Sequence, residues 1–327
     1  MSETEAALDL AGASLVEIIA AIRAALAREP EVVALRVLDP DYGRGRYAGE
    51  RVEYAGRAHV HRPLRVWVEL ADRLGLRLAT PRVVEPPLIE LRFEALDRQR
   101  GAIPASSAGD DRREKYGRAS EFARVRKAEE PSFVLDFADA LARVGLGPAP
   151  RILALGVNAG DELELVLELR PELRAGASFV GLDHSASALA YARERFPEPQ
   201  HRFIEADLAA LASLELGRFD LVLALSVLQS PGVDDRAVLR RVVQDQLEPR
   251  GGLIVGMPNC RYCDGELIHG ARMKNYAQPE LSLVIKNLAY YRRYLQQHRR
   301  RVFVTGSHEL LLTAVAGSSP RPGPAGA

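Results

Sequence analysis

Residues 151–163, RILALGVNAGDEL, constrain this chain more than any other stretch, because an unbroken apolar run leads straight into a glycine-punctuated turn and an acidic helix start. The run from Ile152 through Leu155 has the apolar continuity of a strand buried on both faces, as central parallel strands are. Gly156 and Gly160 let the backbone bend sharply and let a ligand approach without interference from a Cβ. Asp161 and Glu162 suit the positive end of a helix dipole. Open parallel sheets hold nucleotide-like ligands at such a loop, outside the carboxyl end of the strand.

Charge narrows the ligand. A phosphate cradle relies on G-x-G-x-x-G or the P-loop spacing, with bare N–H groups turned toward an anion. Here Gly156-Val157-Asn158-Ala159-Gly160 runs directly into two carboxylates. They repel a pyrophosphate and tolerate a cation. A nucleoside with positive charge and no phosphate is the better match, and S-adenosylmethionine, a sulfonium, is such a ligand.

The segments that follow agree in order and spacing. FVGLD, ending at Asp183, reads as a second buried strand closed by an acid. A carboxylate there accepts from both ribose hydroxyls, the role of an acid about 20 residues past the glycines in dinucleotide folds. Ser185 is placed to cap the next helix. RFIEADL gives a third strand, with Asp207 able to accept from an adenine amino group and Leu208 supplying a backbone N–H and an apolar wall. FDLVLAL, 219–225, is a fourth strand, and LEPRGGLIV, 247–255, reads as a helix end, a turn and a fifth strand.

With LALGVNAGDEL, FVGLDHSASAL, FIEADL, FDLVLALSVLQ and LEPRGGLIVG in this order, residues 151–315 resemble a class I S-adenosylmethionine-dependent methyltransferase. The resemblance implies a doubly wound α/β fold: a mostly parallel seven-stranded sheet with a reversed terminal strand. It implies that Gly156, Asn158 and Gly160 lie against S-adenosylmethionine, that Asp183 holds the ribose and Asp207 with Leu208 the adenine. His184 is expected as a wall of the adenosine pocket, and Ser226 completes the cofactor set. Two positions depart from the pattern: Ala154 stands where the family has an acid, and Asn158 where it has its middle glycine. The usual indirect contact to the methionine amino group then falls to Asp161 or Asn158.

The chain has 327 residues, with Lys+Arg 44 against Asp+Glu 44. That length allows two domains, and zero net charge gives no support to coating nucleic acid by bulk charge. Two cysteines argue against a disulfide framework. The acidic start MSETEAALDL is no secretory signal, and no apolar run reaches the length of a membrane span. A cytoplasmic protein is expected, with its oligomeric state open.

Residues 1–96 are expected to form a small α+β accessory domain: helices over 14–26 and 65–74, strands over 32–37, 76–84 and 88–96, and a glycine-rich loop over 41–50. Residues 97–130 are expected to form a connector in which basic side chains outnumber acidic ones: a solvated hinge, a lid over cofactor or substrate, or a strip that contacts RNA phosphates. Residues 131–316 are the methyltransferase domain, opened by a helix over 131–146 that covers the cofactor pocket in this family, and 317–327 a Pro/Gly-rich disordered tail.

Substrate is expected over the carboxyl ends of the strands, beneath the polar insertion around 257–276. Asp264, His269 and Tyr262 are the nearest candidates for a general base, which a nucleophile protonated at neutral pH requires. Cys260-x-x-Cys263 lacks the second pair that a structural zinc site needs, so no metal is expected. There is no Asn-Pro-Pro-Tyr after FDLVLALSVLQ, which lowers methylation of exocyclic amines in nucleic acid. The acceptor is either a small molecule or RNA. Two other classes compete: an NAD(P)-dependent oxidoreductase, disfavoured by the carboxylates after Gly160, by Asp207 and by the terminal strand pair, and a non-catalytic adenosine-binding scaffold, kept open by the altered first motif.

Overall fold

The computed structural model describes residues 7–28, 31–42, 46–96, 126–230, 232–259, 261–263, 266–268, 282–307 and 309–317. It divides into two compact units: Met1–Ala102 with Tyr262–Ile268, and Ile103–Arg261 with His269–Ala327.

In the first unit, β1 (Leu8–Asp9), α1 (Leu15–Arg28), β2 (Val32–Leu38), β3 (Arg51–Tyr54), β4 (Arg57–Val60), α2 (Leu64–Leu74), β5 (Leu76–Leu78), β6 (Arg82–Glu85) and β7 (Leu88–Ala95) follow in order. The sheet runs β1-β2-β7-β5, with β6 also on β7. Alternation decides what is inside: Val33, Leu35 and Val37 of β2 and Ile89, Leu91 and Phe93 of β7 point one way. Onto that face α1 lays Ile18, Ile22 and Ala25, and α2 lays Trp67, Leu70 and Ala71. Helices on one face of a mostly antiparallel sheet make it α+β. The span 76–84 is two short strands rather than one, and the hairpin β3–β4 carries no alternation strong enough to announce it.

The second unit comprises α3 (Pro131–Val144), β8 (Arg151–Leu155), α4 (Asp161–Leu169), β9 (Ser178–Asp183), α5 (Ala186–Arg195), β10 (Arg202–Glu205), β11 (Phe219–Leu225), α6 (Asp235–Arg241) and β12 (Leu247–Pro258), then α7 (Ser282–Gln297), β15 (Arg300–Gly306) and β16 (Glu309–Ala316). Between β12 and α7 come β13 (Arg261–Cys263) and β14 (Glu266–Ile268), which from Tyr262 on belong to the first unit. Seven strands form one sheet, β10-β9-β8-β11-β12-β16-β15. From β10 to β12 all pairs are parallel, whereas β16 runs antiparallel to both β12 and β15. This is the doubly wound sheet with a reversed terminal strand that the motifs imply.

The apolar runs are buried on both faces. On β8, Ile152 and Ala154 join the side chains of α3, α4 and α5, while Leu153 and Leu155 join α6 and α7 on the opposite face. Helix α3 starts on Pro131 and stops at Gly145, whose φ of 68° supplies the left-handed cap. It packs on β12, β15 and β16. Strand β12 begins earlier than its Pro-Arg-Gly-Gly suggests. Leu247 already pairs with Phe219, and the residues before Gly252 bulge out, held by Arg300, which donates to the carbonyls of Glu248 (2.8 Å) and Gly251 (2.5 Å).

Candidate functional site

From β8 the chain winds outward through β9 and β10, then returns to add β11 on the other side of β8. Neighbouring connections therefore diverge between β8 and β11, and in such sheets that switch point opens a crevice at the carboxyl ends of the strands. The loops after β8, β9, β10 and β11 carry Gly156 to Gly160, Asp183, Asp207 and Ser226.

The loop after β8 is fixed by its neighbours. The N–H groups of Gly156 and Val157 both donate to the carbonyl of Leu182, at 2.8 and 3.0 Å. Gly156 and Gly160 have φ of 66° and 82°. A Cβ at 156 would lie 2.7 Å from Cγ2 of Val227, and one at 160 would lie 2.7 Å from Cε2 of Phe196. Both glycines thus make the sharp bend expected of them, in left-handed backbone, and their close packing on Val227 and Phe196 is a further reason that no side chain stands there. Asn158, at φ 46°, adopts the same region, which a short polar side chain tolerates.

Asp183 is 7% exposed. Its Oδ2 accepts from the N–H of Asn158 (2.8 Å) and its Oδ1 from the N–H of Ser185 (2.9 Å). The carboxylate thus ties the glycine loop to the end of β9. A carboxylate offers about four lone-pair sites, so with two donors among the described residues there is capacity for a pair of hydroxyls. Ser185 caps α5 through its side chain, which accepts from the N–H of Ala188. The His184 ring stands 3.7 Å from Asp183 Oδ1 and is partly exposed. Asp207 is exposed, and its Oδ1 accepts from the N–H of Ala209 at 2.7 Å. The N–H of Ala206 bonds to the Asp183 carbonyl, which sets Asp207 beside the end of β9. Leu208 is buried in the core beneath β11 and β12.

The acidic start of α4 is more compensated than its sequence suggests. Asp161 accepts from Arg126 at 2.8 Å and also from Arg195, which further pairs with Glu164. Among the described residues no arginine pairs with Glu162. Burial pushes its carboxyl above the usual range, and the nearby Lys127 ammonium opposes that shift. Lys127 donates to Ser226 Oγ (2.7 Å) and lies 3.0 Å from Glu309 Oε2. The Ser226 hydroxyl in turn donates to Glu309 Oε1 at 2.7 Å. Ser226 has a φ of 54°, unusual for a serine. Sequence reasoning named Ser226 but missed Lys127 and Glu309. Residues 99, 182 and 83 positions apart meet there, and no local pattern announces such a meeting.

Among the general-base candidates, Asp264 and His269 lie outside the described residues. Tyr262 sits in β13, and its side chain also lies outside them. Among the described residues no group of His, Cys, Asp and Glu is arranged to hold a metal ion, and no helix is long and apolar enough to cross a membrane.

Sheet order, reversed strand and the carboxylate after β9 define a class I methyltransferase fold. Residues 153–253 match the family model described as a methyltransferase domain, so the chain carries a class I S-adenosylmethionine-dependent methyltransferase domain. Among curated proteins it is similar to trans-aconitate 2-methyltransferase of Paracidovorax citrulli, 36% identical over 37% of this chain and 44% of that one. It is likewise similar to the protein of that name from Delftia acidovorans, 32% identical over 47% of this chain and 54% of the relative. The chain spans about half the length of these relatives. An O-methyltransferase family protein from Burkholderia thailandensis superposes loosely, with a TM-score of 0.40 at 18% identity over 63% of this chain and 64% of that one.

Proposed function

We propose that this protein transfers a methyl group from S-adenosylmethionine to a small carboxylic acid. The observation that carries the reading is Asp183: a buried carboxylate at the switch point, fixed by two backbone donors and keeping acceptor capacity for a ribose. The crevice carries Glu162 on the first turn of α4, and a carboxyl group there is a poorer neighbour for a pyrophosphate, and with it NAD(P), than for a cation. The acceptor class is taken from the names of the relatives above, trans-aconitate being a polycarboxylic acid.

In this reading Asp183 orients the ribose, Asp207 and the loop at Leu208 flank the adenine, and the backbone from Gly156 to Gly160 with Ser226 borders the methionine end. S-adenosylmethionine, when bound, supplies a methyl group already activated on a sulfonium. The protein's task is to hold the acceptor in line and keep water away, and positioning of that kind provides much of the rate. A carboxylate acceptor is ionised at neutral pH, so Asp264, His269 and Tyr262 are not needed as bases for it. An enol or amine acceptor would need one of them.

Calorimetry with S-adenosylmethionine, S-adenosylhomocysteine and NAD tests the cofactor, and binding of NAD in place of the first two overturns the reading. Mass spectrometry of di- and tricarboxylic acids incubated with enzyme and S-adenosylmethionine should show a gain of one methyl. Methylation of RNA, with the acids untouched, would replace the acceptor class.

A further inference from the structure

The Lys127 ammonium lies in the part of the crevice where, on the reading above, the amino-acid end of the cofactor belongs. It reaches Ser226 at the end of β11 and Glu309 at the start of β16. Its charge is also felt by Glu162, on the first turn after the glycine loop. Three features hold the acceptors in place whether or not the lysine is there. Glu309 is fixed on a strand, its side chain 9% exposed. Gly256 leaves the room that its carboxylate needs, since a Cβ at 256 would lie 2.5 Å from Glu309 Oε1. Ser226 is held in left-handed backbone by its own N–H, which donates to the Gly256 carbonyl at 2.9 Å.

Lys127 is different in kind. It belongs to the short turn Lys127–Glu129 ahead of α3, outside the sheet, and its side chain keeps 26% of its exposure. A flexible four-carbon stem can leave at little cost. Among the described residues its departure leaves Glu309 and Glu162 without a cation beside them, and a buried carboxylate in that state is unfavourable. Whatever displaces Lys127 must therefore bring a positive charge with hydrogen-bond donors. An α-ammonium has the same three N–H donors as the lysine.

We propose that Lys127 is an internal stand-in for the ligand's α-ammonium. It occupies the Ser226–Glu309 acceptors when the crevice is empty, competes with S-adenosylmethionine and S-adenosylhomocysteine for them, and is expelled when either binds. The inference rests on the methyltransferase reading and adds a self-inhibitory contact to it.

Acetylation of the full-length protein with an amine-reactive ester, read by mass spectrometry, reports Lys127 directly; the chain's other lysines are Lys115, Lys274 and Lys286. S-adenosylhomocysteine should increase labelling at Lys127. 5′-Methylthioadenosine, which lacks the amino acid, should leave it unchanged. Lys127→Met should tighten S-adenosylhomocysteine by roughly 3- to 30-fold, as expected when a competing closed state is removed, and should not change the affinity for 5′-methylthioadenosine. Glu309→Gln, nearly isosteric, should weaken S-adenosylhomocysteine, with thermal melting confirming that the variant is folded. Protection of Lys127 by S-adenosylhomocysteine, unchanged labelling, or weaker binding by Lys127→Met would each overturn the proposal while leaving the methyltransferase reading intact. Failure of wild type and Lys127→Met alike to bind S-adenosylmethionine or S-adenosylhomocysteine would sink both.

Discussion

Arg62 in the first unit and Lys127 in the second are both cations drawn away from water, and they differ in what receives their charge. Arg62 is 4% exposed, donates to the Ala13 carbonyl and lies over the Trp67 ring, 5.7 Å from its centroid. No carboxylate among the described residues pairs with it, and burial lowers its pKa. Its Nη1 and the buried Nε1 of Trp67 have no hydrogen-bond partner among the described residues. Lys127 has the reverse arrangement, less burial and two carboxylates beside it. A guanidinium is weakly hydrated and stacks on aromatic faces, so it endures burial without an anion better than an ammonium does. The contrast separates a charge tolerated for packing from a charge held by acceptors that another cation could use.

Removing the face under Arg62 should give the largest effect. Trp67 is fully buried at the centre of the first unit's core, and Trp67→Ala should cost about 3–5 kcal/mol through the cavity it opens. Hydrogen exchange should show protection lost in α1, β2 and β7 and retained in β8, β9 and β11. Equal loss in both sets would mean that the two units unfold together. On the other side of the comparison, Asp183→Ala should weaken S-adenosylhomocysteine by about 2–3 kcal/mol, the scale of lost charge-assisted hydrogen bonds. Calorimetry reads this, and unchanged affinity would remove Asp183 from the ribose site.

The second unit was largely legible because its information is local. Each strand buried on both faces is an apolar run, and each loop of the crevice follows one: Gly156 after ILAL, Asp183 after FVGL, Ser226 after FDLVLAL. The first unit reads less well. The β3–β4 hairpin, RVEY and RAHV, has short strands of mixed character, with only Val52 and His59 buried, so no period stands out. Arg62 looks like an ordinary surface residue until α2 brings Trp67 beneath it. The Lys127–Ser226–Glu309 contact was illegible for a third reason: sheet order brings Ser226 and Glu309 together, and Lys127 joins them from a distant turn outside the sheet.

Arg62→Met tests the tolerated charge. A buried cation with no counter-ion contributes little, and an apolar side chain of similar volume often replaces one without loss. Urea denaturation should show stability unchanged or raised by up to about 1 kcal/mol, at constant m. A loss above about 2 kcal/mol would show that the bond to Ala13 and the stacking on Trp67 carry the cost of burial, and the two cations would then be less different than their surroundings suggest.

Glu162→Gln should give the smallest effect, and its pH dependence carries the information. Burial raises the Glu162 carboxyl in the folded protein, with Lys127 only partly opposing. Well below the ordinary glutamate range the group is protonated in both folded and unfolded chains, so it contributes no difference there. As pH rises through that range the unfolded chain loses its proton first, which favours unfolding, and the penalty is complete above the folded-state value. The variant should therefore match wild type at low pH and exceed it at neutral pH, by on the order of 0.5–1 kcal/mol. In the Lys127→Met background, with the opposing cation gone, the same substitution should gain more at neutral pH. Equal gains in the two backgrounds would show that Lys127 does not share its charge with Glu162, and the acceptors around it would reduce to Ser226 and Glu309 alone.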